Sequence, residues 1–170
     1  MASTATSAPF ELFLYEQVDT QEGICALDIV KLLNDANGRR VLMRINSPGG
    51  SVDQGVAIYN AIRRYRGGCD VIVDGVACSI ASIIAMAGRR ITMAKSAKMM
   101  IHSPYTVVQG NADDMRKMAD LLDKYTETMI DIYQTKVRMT RSFIKDLLQR
   151  ETWFNAYQCL ELKFCDAVEE

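Results

Sequence analysis

Three observations predict an α/β fold for this chain of 170 residues. Short runs rich in strand formers alternate with stretches of helical periodicity, the order that lays crossover helices over a sheet. Turn dipeptides, Asn37-Gly38 and Gly67-Gly68, punctuate the alternation. One amphipathic stripe is also longer than a domain of this size needs for its own core. No internal repeat or low-complexity linker interrupts the pattern, so residues 10–170 are expected to form a single domain.

Taken in order, the first nine residues, Met1 to Pro9, are small and polar and lack the basic start and apolar stretch of a secretory signal. They read as a flexible tail. Phe10 to Tyr15 is the first expected strand, followed by a helix from Cys25 to Leu33 that ends near Asn37-Gly38. Val41 to Ile45 is the second strand. Ser51 opens the next helix, with Gln54 three residues on completing a capping box, and Gly67-Gly68 stops it after Tyr65. Val71 to Asp74 is a strand that runs through Gly75 into a helix starting at or just before Ser79 and ending at Gly88. Ile80, Ala81, Ile83, Ile84, Ala85 and Met86 leave that helix almost no polar face, which places it in the core. Strands follow at Ile91 to Met93 and Lys98 to Ile101. The longest helix is expected from Ala112 to Val137, with Met115, Met118, Leu122, Tyr125, Met129, Ile132 and Tyr133 on one stripe. At 1.5 Å per residue it would span about 39 Å, an overhang that suggests a partner subunit. Helices at Arg141 to Gln149 and Asn155 to Leu162 come next, and Phe164 to Val168 closes the chain.

Composition excludes several functions. Twenty basic residues against 21 acidic ones leave a formal charge of -1, and the pairs Arg39-Arg40, Arg63-Arg64 and Arg89-Arg90 are short and separated, so nucleic acid is not an expected partner. The longest apolar stretch, Ile80 to Ala87, falls short of the about 20 residues that cross a bilayer, so no membrane association is expected. Five cysteines at 25, 69, 78, 159 and 165 form no Cys-x-x-Cys, and a single histidine cannot complete a usual zinc set. They read as reduced thiols of a cytoplasmic protein, with neither metal nor cofactor.

The chemistry concentrates on Ser79 and His102. A serine hydroxyl needs an adjacent base to become nucleophilic, and His102 is the one imidazole available. At a helix start, Ser79 has the favourable end of the dipole beside it, and the free N–H of Ile80 points to where an oxyanion would form. Asn46-Ser-Pro-Gly49-Gly50-Ser51 follows a strand and offers a turn whose amide can approach a ligand without a Cβ in the way. Each signal alone has an ordinary reading: Ser79 as a helix cap, His102 as a core or rim histidine, Pro48-Gly49-Gly50 as a turn, Cys78 as packing. Jointly they point to serine hydrolysis.

These segments resemble the Clp protease proteolytic subunit (ClpP) family, and within it the ClpP-like head maturation proteases of tailed phages and prophages. Asn46-Ser-Pro-Gly-Gly-Ser-Val with Gly55-Val-Ala-Ile-Tyr59 is similar to the family's glycine turn and following helix. Gly75-Val-Ala-Cys-Ser79-Ile-Ala-Ser resembles its nucleophile segment, and Met100-Ile-His102-Ser-Pro104 its histidine segment. Gln109-Gly-Asn-Ala-Asp-Asp resembles the start of its handle helix, and Glu151-Thr-Trp-Phe-Asn-Ala the Glu-Thr-Trp signature of the phage branch. The resemblance covers Phe10 to Val168.

It implies a ClpP/crotonase-like fold of stacked β-α units with a protruding handle helix used for oligomerisation. It implies Ser79 as nucleophile, His102 as general base and then acid, and the amides of Gly50 and Ile80 as the oxyanion hole. Glu151 is the candidate third member, standing where the bacterial subunits place an aspartate; Asp146, Asp166 and Asp113 are the fallback carboxylates. Gly49, Tyr105, Val107 and Val108 are expected to border the substrate, the two valines pairing an extended peptide along a strand edge. The implied partners are a protein substrate, such as a capsid or scaffold precursor, and further copies in a ring or double ring. The polar tail leads directly into Phe10-Glu-Leu-Phe-Leu-Tyr, without the axial-loop segment of the bacterial subunits, so ATP-independent endoproteolysis in the host cytoplasm or assembling head is expected rather than ATPase docking. Two rivals share parts of this pattern: a crotonase-like acyl-CoA enzyme, which also holds an oxyanion on amides, and a proteolytically silent ring subunit or scaffold.

Overall fold

Side chains that alternate in and out define which face of each strand meets the core. The computed structural model describes residues 8–169. In β1 (Phe10–Leu14), Leu12 and Leu14 are buried; in β2 (Val41–Ser47), Val41, Met43, Ile45 and Ser47 are. Cys69, Val71 and Val73 continue that face in β3 (Cys69–Cys78), and Ile91 and Met93 in β4 (Ile91–Ala94). The strands run parallel in the order β1-β2-β3-β4, and β7 (Ala167–Glu169) extends the sheet beyond β4. Helices α1 (Ala26–Asp35), α2 (Val52–Arg64) and α3 (Ile80–Ala85) supply the apolar cover, through residues such as Ile29, Leu33, Ile58, Ile62 and every residue of α3 but Ser82.

A register shift in the middle of the sheet creates the site. Ile45 pairs with Val73, but Ser47 pairs with Ala77, so β3 carries two extra residues relative to β2. The Asn46 side chain fills the bulge, its Oδ1 accepting from the Val76 amide at 3.1 Å, and a Cβ on Gly75 would lie 2.4 Å from that oxygen. Bulges bend and re-aim a strand. Here Val71 to Val73 pair with β4, while Val76 to Cys78 pair instead with β5 (Lys98–Ile101), which carries β6 (Thr152–Asn155) antiparallel on its other side.

The remaining helices are α4 (Ala112–Tyr133), α5 (Arg141–Gln149) and α6 (Ala156–Glu161). Thr126, Met129, Ile130, Ile132 and Tyr133 bury the last third of α4, whereas from Ala112 to Tyr125 no residue is fully buried and Met115 is 50 % exposed. The first half of this helix is largely exposed, its overhang held to the body where Tyr125 Oη donates to the Asp53 carboxylate at 2.9 Å. No helix among the described residues is long and apolar enough to cross a membrane.

Several boundaries differ from the sequence reading. The tail expected at residues 1–9 falls mostly outside the described residues, since only 8 and 9 are described. β3 extends to Cys78 rather than Asp74, because β5 takes over its pairing after the bulge. α3 ends at Ala85, not Gly88, and α4 at Tyr133, not Val137, where the amides of Lys136 and Val137 both turn back to the Tyr133 carbonyl. At 22 residues α4 spans about 33 Å. The Ser51 capping box is half formed: Ser51 Oγ accepts from the Gln54 amide, but Gln54 Oε1 caps α1 instead, accepting from the Ala26 amide at 2.9 Å. Strand β6 was not expected at all.

Candidate active site

Two strand ends and one glycine turn converge at Ser79. The Ser79 amide donates to the Met100 carbonyl at 2.8 Å, which ties the end of β3 to β5 two residues before His102. His102 Nε2 lies 2.8 Å from Ser79 Oγ. For the hydroxyl to donate along that contact, Nε2 must be the bare nitrogen and Nδ1 the protonated one. The imidazole side chain is 15 % exposed, and Tyr105 stands edge-on to it with ring centroids 5.6 Å apart.

Strand β6 explains why Glu151 faces His102. Lys98 pairs with Asn155 and Ile101 with Thr152, so the next step of that antiparallel register sets His102 against Glu151. The Ser103 amide, donating to the Leu148 carbonyl at 2.9 Å, fixes the histidine segment to the end of α5. Glu151 Oε2 lies 3.9 Å from Nδ1 with its side chain 60 % exposed, an ion-pair distance and not a hydrogen bond. Its backbone φ of 50° is the left-handed turn that separates α5 from β6. The fallback carboxylates are engaged elsewhere: Asp146 with Arg150, Asp113 with Arg116, and Asp166 with the Ile91 amide.

The glycine turn closes on the same point. Gly49, with φ 93°, packs so tightly against the serine that a Cβ would sit 2.6 Å from the Cys78 carbonyl and 2.8 Å from Ser79 Cβ. Gly50, with φ 145°, lies against Val18, whose amide and carbonyl clamp the turn through Gly49 and Ser51 at 2.8 Å each. Ser47 Oγ, buried, donates to the Glu16 carbonyl and accepts from the Gly49 amide. Among the described residues the Gly50 and Ile80 amides make no hydrogen bond within the protein, which leaves both as free donors.

A cleft of about 360 Å³ opens over these groups, lined by Ser79, His102, Gly50, Pro48, Tyr105 and others. A second hollow of about 300 Å³ shares the Gly50, Val52, Pro104 and Tyr105 wall and reaches Met118, Leu122 and Tyr125 of α4. Sequence reasoning missed Gln17, which also lines the cleft and which nothing in its local pattern marks; Met100 of the histidine segment lines it too, a role not assigned from the sequence. Of the residues expected to border substrate, Tyr105 lines the cleft and Gly49 lies behind it against the serine. Val107, 95 % exposed, and Val108 line neither hollow: the loop that carries them has no strand partner to hold an edge beside the serine. Cys78 is buried, and burial pushes its thiol up, consistent with packing.

A hydroxyl, an imidazole and two free amides around one cleft constitute the apparatus of serine hydrolases, a class defined by acyl transfer through the serine oxygen. Comparison with known proteins gives the family. The Clp protease family matches residues 5–170. ATP-dependent Clp protease proteolytic subunit 1 of Protochlamydia amoebophila is 34% identical over 136 residues, 77% of this chain and 66% of that protein, just under two thirds of its length. The protein of the same name from Chlamydia trachomatis serovar D is 31% identical over 152 residues, 86% of this chain and 78% of its own; that of Chlamydia abortus is 28% identical over 163 residues, 92% and 84%. The chain belongs to the Clp protease family, whose members are serine-type peptidases.

Proposed function

We propose that residues 10–170 are one protease domain that cleaves peptide bonds through an acyl-enzyme on Ser79. The observation that carries this reading is the 2.8 Å contact between Ser79 Oγ and His102 Nε2 beside the free amides of Gly50 and Ile80. His102 takes the serine proton as Oγ attacks the substrate carbonyl, the two amides receive the developing oxyanion, and the imidazolium returns the proton to the leaving amine. Water then repeats the sequence on the acyl-enzyme. Glu151, 3.9 Å from Nδ1, favours the imidazolium through its charge. The second hollow, walled by Met118, Leu122 and Val52, suits an apolar substrate side chain.

The chain works as a homo-oligomeric ring or double ring built through α4, as family membership and the overhang of that helix support. Its finer role is head maturation in a phage or prophage, with a capsid or scaffold precursor as substrate in the host cytoplasm, and without ATP. Glu151-Thr152-Trp153 supports that branch, whereas the matched relatives are named ATP-dependent. The test is a fluorophosphonate probe and a casein or scaffold substrate presented to the assembled protein with no nucleotide. Labelling confined to Ser79, and cleavage abolished in Ser79→Ala, are expected. An unlabelled Ser79, or full cleavage by Ser79→Ala, would refute the protease reading; thioester turnover surviving that substitution would point to the crotonase-like alternative, and assembly without hydrolysis to a silent ring subunit.

A further inference from the structure

Ser79 occupies φ 55°, ψ -126°, a backbone region that a non-glycine residue keeps only when its surroundings over-determine it. Two contacts act on its carbonyl. The Ser82 amide donates to it at 3.0 Å and the Ser82 hydroxyl at 2.6 Å. Ser82 Oγ has one proton, and with that proton given to Ser79, its 2.8 Å contact with Tyr133 must be donated by the phenol. The result is a directed relay from Tyr133 Oη through Ser82 Oγ to the Ser79 carbonyl oxygen. Both side chains are 0 % exposed, and Ser82 is the one polar residue of an otherwise apolar helix. Burial pushes the Tyr133 phenol far above its ordinary ionisation range, so it remains a donor at any working pH.

The carbonyl of Ser79 and the N–H of Ile80 belong to one planar trans peptide unit, so they point in opposite directions and turn together. Whatever fixes the carbonyl therefore fixes the amide. We propose that Tyr133 and Ser82 are positioning residues of the oxyanion hole: by holding the Ser79 carbonyl they aim the Ile80 N–H into the cleft. Because Tyr133 is the last residue of α4, the relay also fastens the overhanging helix to the oxyanion donor. This inference rests on the serine-protease reading and assigns that site two supports that never touch substrate.

The experiment compares wild type, Ser82→Ala, Tyr133→Phe and the double variant, each as the assembled full chain, on a fluorogenic peptide and against a peptide boronate whose oxygen occupies the oxyanion position. Loss of a whole oxyanion donor costs about 10²–10³ in kcat, so a donor left in place but free to turn is expected to cost about 10-fold in Ser82→Ala and less in Tyr133→Phe. KM should stay within about twofold, boronate affinity should fall in parallel with kcat, and the double variant should match Ser82→Ala alone, since the phenol acts only through Ser82. Tyr133→Phe keeps the buried ring and so remains informative should Ser82→Ala misassemble. Lower melting temperatures with unchanged kcat, a loss confined to KM, or losses that multiply in the double variant would each overturn the proposal. A wild type that neither labels nor cleaves would be a failure of the protease reading, which the fluorophosphonate assay detects separately.

Discussion

Glu151 and His102 show how a single distance sets an expectation. An exposed ion pair is worth about 1 kcal/mol at most, roughly a 5-fold factor in rate, because water screens both charges. With Oε2 at 3.9 Å and the side chain 60 % exposed, Glu151→Ala is expected to lower kcat about 5-fold, far short of the roughly 10⁴-fold loss that follows from disabling a buried triad carboxylate. Steady-state kinetics on the assembled protein decides between the two magnitudes. Gly49 tolerates less. Its φ of 93° and the 2.6 Å approach of a new Cβ to the Cys78 carbonyl mean that Gly49→Ala strains the turn by about 1–3 kcal/mol and displaces Ser79. Fluorophosphonate labelling should slow at least about 10-fold, with a lowered melting temperature. Thiol reactivity should follow burial. Desolvation pushes Cys69 up to about 12 and Cys165 to about 11 and also raises Cys78 and Cys159, so these stay protonated at neutral pH. Brief iodoacetamide treatment of the native protein is expected to modify half-buried Cys25 first, and mass spectrometry showing Cys78 modified earlier would contradict the packing seen here.

At the scale of elements, the bulge between β2 and β3 is what delivers Ser79 to the end of β5. Asn46→Ala would leave the Val76 amide without its partner, at a cost of about 1–3 kcal/mol. A urea melt should register that loss, and labelling of Ser79 should slow with it, because the fork in β3 sets where Cys78 and Ser79 emerge. The bulge was not legible from the chain. Asn46 and Gly75 lie 29 positions apart in separate segments, and a register shift is a relation between strands rather than a property of either one. By contrast β1, β2 and β5 were legible within a residue or two, since short runs of apolar residues with little polar interruption mark them: Leu12 and Leu14, Val41, Met43 and Ile45, Met99 and Ile101 fill their buried positions. β6 is not legible although Thr152, Trp153 and Phe154 are strand formers, because four residues between two helices are too few for a period to show. Without that strand the chain gives no geometric reason for Glu151 to face His102.

For the whole molecule, the overhang of α4 carries the strongest expectation. Met115→Asp on its exposed half should leave the monomer fold intact, because that stretch contributes no fully buried residue, yet give a smaller particle by size-exclusion chromatography with light scattering. An unchanged particle would mean that the overhang does not join subunits at that point. The chain by itself determined the α/β class, the elements that carry Ser79 and His102 and the start of the long helix α4, because each is encoded in local periodicity, turn chemistry and the scarcity of imidazoles. Tertiary structure alone decided how loosely Glu151 meets His102, which strands share β3, and which buried hydroxyls contact the Ser79 peptide. Those are distances between segments remote in sequence, set by register and packing across the sheet, and no pattern along one strand specifies them.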